Sequence, residues 1–285
     1  MRLAVTGGSG RIGRAIVSLA IAQDHRVVSI DRMAPPAEQA ANDAVEFVQA
    51  DLIDYASFER AIEGCDALIH MAAIPSPRGF PDHLVHNNNV VSSYNALSAA
   101  AHLGITRVCQ ASSINATGAS YSRWPRYDYF PLDEQHPTYN EDAYSLSKWV
   151  CEQQADSFAR LHQTMIIASL RFHGMVPDRV AATSRPTTPD AHQARARGLW
   201  GYTLLDAAAR SCLAAVTANF TGHEVFYIVA AETTMDEPSA TLRGRYFPEV
   251  PLRAELQGRQ GFYSTTKAER LLGWKHDLTA AANTP

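Results

Sequence analysis

Arg2-Leu-Ala-Val-Thr-Gly-Gly-Ser-Gly-Arg-Ile-Gly-Arg14 is the most informative stretch of the chain. Leu3, Ala4 and Val5 form a short apolar run, the length of a strand buried in a parallel sheet. Gly7, Gly10 and Gly13 follow at three-residue spacing, and Ala15, Ile16, Leu19 and Ala20 then recur at helical spacing. Strand, glycine turn and helix in that order are the context a dinucleotide fingerprint requires. The three glycines do different things. Gly7 permits the sharp turn, Gly10 lets the backbone approach a pyrophosphate, and Gly13 lets helix and strand pack closely. Arg11 and Ile12 complete the phosphate-facing turn. The helix N-terminus offers it free N–H groups and a partial positive charge.

Downstream, Arg26-Val-Val-Ser-Ile-Asp31 reads as a second strand. Asp31, about 20 residues beyond the glycine turn, is placed to hydrogen-bond the adenosine ribose. Its charge repels a 2′-phosphate and favours NAD. The neighbouring Arg32 could accept that phosphate, which leaves NADP open. Val45 to Leu52 reads as a third strand, whose Asp51 either caps the next segment or reaches the adenine amino group. A helix is expected from Asp54 to Glu63. Ala67 to Ala73 reads as a fourth strand entering the turn Met71-Ala72-Ala73, where small side chains leave room for a cofactor. His70 reads as a core histidine satisfied by hydrogen bonds.

Ile74 to Asp82 holds Pro75, Pro77, Gly79 and Pro81 and is a loop. Asn87, Asn88 and Asn89 are expected to start a helix, where an asparagine can cap. Thr106 to Ser113 reads as a fifth strand ending in a Ser-Ser pair. The long aromatic stretch Ile114 to Glu141 reads either as a lid or binding surface or as a subunit contact. Leu204 to Ala218 is an expected helix and Glu224 to Ala230 another core strand. Glu232 to Gly261, rich in Pro, Gly and Arg, reads as a substrate cap.

The whole chain sets outer bounds. At 285 residues and 46% apolar content it allows one large domain or a domain with a smaller lobe. A net charge of -4 supplies no basic field for nucleic acid. Cys65, Cys109, Cys151 and Cys212 show neither a CxxC pair nor a metal-ligand spacing, so reduced thiols and no metal are expected. No apolar run reaches the length of a membrane span, and no signal peptide precedes the first strand. The expected location is the cytoplasm.

Tyr144-Ser-Leu-Ser-Lys148 carries the chemistry. A tyrosine and a lysine four residues apart share one helix face. The ammonium is expected to lower the phenol from its usual pKa near 10. The tyrosine then takes a proton from a substrate hydroxyl while hydride leaves for a nicotinamide, and Ser113 holds the same oxygen.

On these residues the chain resembles an extended short-chain dehydrogenase/reductase of the NAD-dependent epimerase/dehydratase family. The matching segments are Thr6 to Gly13, Asp31, Asp51-Leu52, His70 to Ala73, Asn89-Val90, Ser112-Ser113, Tyr144 to Lys148, Ser169-Leu-Arg-Phe172 and Ser264 to Trp274. The resemblance implies a doubly wound α/β Rossmann sheet with a small C-terminal substrate-binding lobe. Residues 1–170 would form the NAD-binding domain, rejoined by 197–230, with 171–196 and 231–285 as the lobe. It also implies a Ser113/Tyr144/Lys148 triad, Lys148 on the nicotinamide ribose, Asn89 supporting the site, Phe172 beside the nicotinamide, and a homodimer through the helices after Asn89 and around Tyr144.

Departures from the family pattern narrow the reading. The 4,6-dehydratases carry an Asp-Glu pair where this chain has Ile114-Asn115, which counts against dehydration. Only a short stretch separates His173-Gly-Met-Val-Pro-Asp178 from Trp200 to Asp206, leaving little material for a nucleoside diphosphate. That layout is similar to uronate dehydrogenases, in which an arginine ahead of the Trp/Asp segment holds the substrate carboxylate. Arg197 falls at the matching place, with Arg179, Arg185 and Arg195 as alternatives, and a guanidinium fork suits a carboxylate. Asn115 and His173 are the further candidate substrate contacts.

The expected activity is NAD-dependent oxidation of a hydroxyl or lactol on a small sugar, sugar acid or polyol. The alternatives are a nucleotide-sugar 4-epimerase that keeps its NAD, and a dinucleotide-binding sensor without chemistry.

Overall fold

The computed structural model describes residues 1–184 and 188–276. Its elements, in chain order, are β1 (Arg2–Thr6), α1 (Arg11–Ala22), β2 (Arg26–Asp31), α2 (Ala37–Ala40), β3 (Val45–Gln49), α3 (Tyr55–Ala61), β4 (Ala67–His70), α4 (Asp82–His102) and β5 (Arg107–Ser113). A 3-10 turn (Ile114–Thr117) leads toward α5 (Ala143–Leu161) and β6 (Ile166–Phe172). Then come β7 (Met175–Val176), α6 (Arg179–Thr183), α7 (Pro189–Ala196), β8 (Thr203–Leu204), α8 (Leu205–Thr217), β9 (Gly222–Ile228), α9 (Ser239–Tyr246) and α10 (Thr266–Leu272).

Seven strands form one parallel sheet in the order β3-β2-β1-β4-β5-β6-β9. The alternation of side chains along each strand divides the core. Leu3 and Val5 face α1 and α8, with Ile16, Val17, Ala208 and Cys212. Ala4 faces the opposite layer, with Phe58, Leu97, Ala100 and Ala155. Both faces are therefore covered, which is why β1 and β4 are apolar along nearly their whole length. Strand order reverses between β1 and β4, and the crevice at their C-terminal ends is the binding position of doubly wound sheets.

Several boundaries differ from expectation. β3 ends at Gln49, so Asp51 and Leu52 lie beyond it. α3 starts at Tyr55 because the Asp54 carboxylate accepts from Ser57 N and caps it. α4 begins at Asp82, directly after Pro81, and not at the asparagines. Asn89 is thus inside the helix and buried.

The aromatic stretch after β5 is mainly neither lid nor free surface. Tyr127 and Phe130 pack with Phe247, Phe262 and Trp200 into a separate apolar cluster that also takes Leu242, Leu256 and Tyr263. Residues 231–263 are therefore held against the 127–132 segment. No described helix is long and apolar enough to cross a membrane.

Candidate active site

A cavity of about 690 Å³ opens at the β1/β4 crevice. Its floor is set by the glycine turn. Gly7 has φ +67°, and a Cβ there would lie 3.0 Å from Ala72 N. A Cβ on Gly13 would lie 2.0 Å from the Gly7 carbonyl oxygen. The turn therefore needs its glycines to bring β1, α1 and β4 together. α1 has neither a side-chain cap nor an acidic residue in its first turn, so its leading N–H groups are left for an anion.

Thr6 locks the crevice. Its Oγ1 accepts from Met71 N and Ala72 N, each at 3.1 Å, so its own proton is directed to His70 Nδ1 at 2.9 Å. Burial pushes the His70 imidazole down to about 3, with the nearby Lys148 charge acting in the same direction. His70 is a neutral core residue, as the sequence suggests.

Asp31 lines the cavity and also orders the loop above it. Its carboxylate accepts from Ser9 N at 3.1 Å and from Met33 N at 3.0 Å. Asp51 Oδ1 accepts from Ile53 N at 3.1 Å while the residue still faces the cavity. Gly7, Gly10, Arg11, Ile12, Arg32, Leu52, Met71, Ala72, Ala73, Tyr144, Lys148 and Phe172 also line it. Gly13 and Asn89 do not; Gly13 acts through packing, and Asn89 through hydrogen bonds. The uncapped helix terminus, the small residues of the floor and a carboxylate at the β2 end together fit a dinucleotide.

Ser113, at the end of β5, and Tyr144 and Lys148, on the first turns of α5, meet at the far side of this floor. Ser113 and Tyr144 line the same part of the cavity, and the Ser113 hydroxyl favours ionisation of the phenol. Lys148 Nζ lies 5.9 Å from the Tyr144 ring centroid and donates to the Ala111 carbonyl at 2.8 Å. The expectation that Lys148 lowers the phenol is not met by the protein alone. Burial pushes Tyr144 well above its ordinary value, and Ser113 is the group that opposes this. Burial also pushes the Lys148 ammonium down.

Residues behind this cluster fix its geometry. Asn89 Oδ1 accepts from Ile74 N at 2.8 Å, and its Nδ2 donates to Ile74 O and to Ser147 Oγ, both at 3.1 Å. It thereby ties the 74–81 loop to the turn of α5 that carries Tyr144. Glu152, one turn beyond Lys148, holds Ser112 at 2.5 Å and forms a buried pair with Arg171 at 2.7 Å. Glu152 has no signal in the linear sequence beyond its helical spacing from Tyr144 and Lys148. Tyr121 likewise carries no individual signal within its aromatic stretch; it packs edge-on to Tyr144 at 5.8 Å and lines the cavity.

At the opposite end Ser113, Asn115, Ser120, Tyr121 and His173 converge. Asn115 Oδ1 accepts from Ser120 N at 2.8 Å, and its Nδ2 donates to Ser113 Oγ at 3.2 Å. Its polar atoms thus serve the protein before any sugar hydroxyl. His173 Nδ1 accepts from Gly174 N at 2.6 Å, so Nε2 carries the proton that reaches Gly198 O at 2.9 Å.

Arg197 does not join them. It is exposed, and its Nη1 points to Ser122 O at 3.4 Å. The alternatives are engaged elsewhere: Arg179 pairs with Glu232, and Arg195 donates to Thr234 Oγ1. Arg185 lies outside the described residues. Among the described residues the cations lining the cavity are Arg11, Arg32 and Lys148. No described residue of the expected cap, 232–261, lines the cavity, because that segment is consumed in the aromatic cluster.

Known proteins resemble this chain in the same two respects, sequence motifs and fold. A sequence model of the NAD dependent epimerase/dehydratase family matches residues 3–184. A "Putative UDP-glucose 4-epimerase" of Methanocaldococcus jannaschii is 31% identical over 178 residues, 61% of this chain and 56% of that protein. The chain thus spans about half the length of that relative. Among solved structures, one named "Mutated Uronate Dehydrogenase" superposes with a TM-score of 0.67 at 23% identity, covering 96% of this chain and 80% of the other. The UDP-glucose 4-epimerase of Bifidobacterium longum, in complex with NAD+ and UDP, gives 0.72 at 19% identity, covering 98% and 94%. At these identities the structural likeness speaks for the fold.

Proposed function

We propose, since the chain belongs to the NAD dependent epimerase/dehydratase family, that it oxidises a secondary hydroxyl or lactol of a small, uncharged polyhydroxy compound with NAD. The family is one of NAD-dependent enzymes of the extended short-chain dehydrogenase/reductase type. The carrying observation is that one cavity of about 690 Å³ holds both the dinucleotide floor and the Ser113/Tyr144/Lys148 cluster. That volume lies within the ~300–1,000 Å³ typical of a single small-molecule site. Beyond the dinucleotide floor the far end is lined by Ser113, Asn115, Ser120, Tyr121 and His173, groups suited to hydroxyls. With Arg197 outside, a neutral substrate fits the far end better than a sugar acid.

Bound NAD supplies the hydride acceptor and a positive charge at the nicotinamide. Ser113 donates to the substrate oxygen and orients it toward Tyr144. Tyr144, whose ionisation Ser113 favours, removes the hydroxyl proton as the C–H bond breaks, and the Lys148 ammonium would hold the cofactor ribose. Gly7, Gly10 and the first turn of α1 would hold the pyrophosphate, and Asp31 the adenosine ribose. Pairing of two copies through α4 and α5 belongs to this reading, supported by exposed Leu84, Val91, Tyr94 and Leu146 on those helices.

The test is absorbance at the reduced-nicotinamide band, with NAD and a panel of aldoses, polyols, uronates and UDP-sugars. NADH from neutral sugars supports the proposal, and NADH from uronates alone overturns its neutral-substrate part. The Methanocaldococcus relative's name keeps a second reading, 4-epimerisation of a nucleotide sugar. A flat trace with UDP-sugars interconverting establishes that reading instead.

A further inference from the structure

We infer that Asn115 is a positioning residue that fixes the direction of the Ser113 hydroxyl, leaving its proton free only for Tyr144 and the substrate oxygen. The inference rests on the dehydrogenase reading of the Ser113/Tyr144 pair.

A serine hydroxyl has one proton to give and two lone pairs to fill. Both acceptor positions of Ser113 Oγ are taken by one residue: Asn115 N at 3.1 Å and Asn115 Nδ2 at 3.2 Å. The amide orientation follows from the structure, because Asn115 Oδ1 receives Ser120 N–H at 2.8 Å and a backbone N–H can only donate. Nδ2 must then face Ser113. Asn115 is 7% exposed and Ser113 5%, so water does not compete freely for either.

The consequence is directional. With both lone-pair sites filled, Ser113 is a poor acceptor for the Tyr144 phenol proton and a ready donor to the phenolate. The phenol is therefore not trapped in a Tyr-to-Ser hydrogen bond, and its proton is exchanged with the substrate oxygen. Ser113 also becomes the group that favours ionisation of a phenol which burial otherwise disfavours.

Asn115→Asp is the informative variant. Its carboxylate still accepts from Ser120 N–H, so the turn keeps its anchor, but the amide nitrogen that donates to Ser113 is replaced by an acceptor oxygen that draws the Ser113 proton away. Asn115→Ala removes the side-chain contact and leaves the Asn115 N bond. The protein, loaded with NAD and carrying 13C-labelled tyrosine, is titrated by NMR. The Tyr144 Cζ resonance is identified by its loss in Tyr144→Phe. The expected result is that Tyr144 ionises at a pH higher by about one unit in Asn115→Asp, with a smaller shift in Asn115→Ala. In a Ser113→Ala background, Asn115→Asp adds no comparable shift, as a cycle through Ser113 demands. With an active substrate, kcat falls by about 10- to 100-fold and KM changes little.

Equal Tyr144 titration in wild type and Asn115→Asp overturns the inference. So does an Asn115→Asp shift that persists in full without Ser113, which would make it a direct charge effect. The titration needs no turnover. If it moves while no sugar yields NADH, the hydroxyl polarity stands and the dehydrogenase reading falls.

Discussion

The two ends of the cavity are built by different means. The cofactor end is mostly backbone: a glycine turn, an open helix N-terminus and a crevice pinned by Thr6, all within the first 73 residues. The substrate end is mostly side chains held by other residues, Asn115 by Ser120 in its own turn, and His173 by Gly198 and Tyr121 by Tyr144 across longer separations. A site made from backbone has to keep its shape whatever the substrate, whereas one made from side chains can be retuned. Differences in substrate within such a family are then expected at the second end.

Four substitutions probe this contrast. The largest effect belongs to Tyr144→Phe, which sits where the two ends meet. It removes the proton acceptor and is expected to lower kcat by about 10²- to 10⁴-fold with NAD binding retained. Steady-state turnover with separate NAD titration checks both halves of that statement.

Next comes Gly13→Ala. The new methyl would meet backbone at 2.0 Å, so α1 must move away from the turn. A stability loss of about 1–3 kcal/mol is expected, with an NAD Kd raised on the order of tenfold. Denaturant unfolding and calorimetry read the two separately. Unchanged NAD affinity would show that the backbone floor is less exacting than its geometry implies.

His70 tests the floor by pH. Its folded pKa, about 3, lies below the ordinary 6.5. Between those values the unfolded chain binds the extra proton, so stability falls as pH falls through that window. The slope is at most about 1.4 kcal/mol per pH unit. His70→Gln should flatten this slope in pH-dependent unfolding curves, and a slope that persists would assign the acid sensitivity to other groups.

The smallest effect is expected for Arg197→Ala, about twofold or less in kcat/KM and within ~0.5 kcal/mol in stability. A loss of 100-fold confined to acidic substrates would instead place that guanidinium at the substrate.

The ease with which each part can be seen in the sequence follows the same split. Gly7, Gly10, Gly13, Asp31 and the Tyr144/Lys148 pair are visible because local geometry demands those residue types at those spacings. Asn89 is visible as a residue, but its setting differs from the one its type suggests. Asparagine usually marks a helix start, and here a buried pairing with Ile74 and Ser147 outweighs that preference. The lid reading of the aromatic stretch fails for a related reason. Tyr127 and Phe130 find their partners more than a hundred residues downstream, in Phe247 and Phe262. Nothing in the local pattern separates a core aromatic from a ligand-stacking one.

The expectation for Arg197 shows the limit from the other side. A position relative to Trp200 is legible, but the direction of its side chain is not. The turn that buries Leu199 and Trp200 leaves Arg197 exposed beside Ser122. The amino-acid sequence by itself determined the parallel sheet, the glycine turn between β1 and α1 and the placing of Tyr144 and Lys148 on one helix face, because each rests on spacing along one or two elements. Only the tertiary structure decided which way the Ser113 hydroxyl points, how the phenol is perturbed and which cations reach the cavity. The phenol and the cations depend on burial and on packing between segments far apart in the chain, while the Ser113 hydroxyl is set within residues 113–120 by a turn whose side-chain directions the spacing of residue types does not encode.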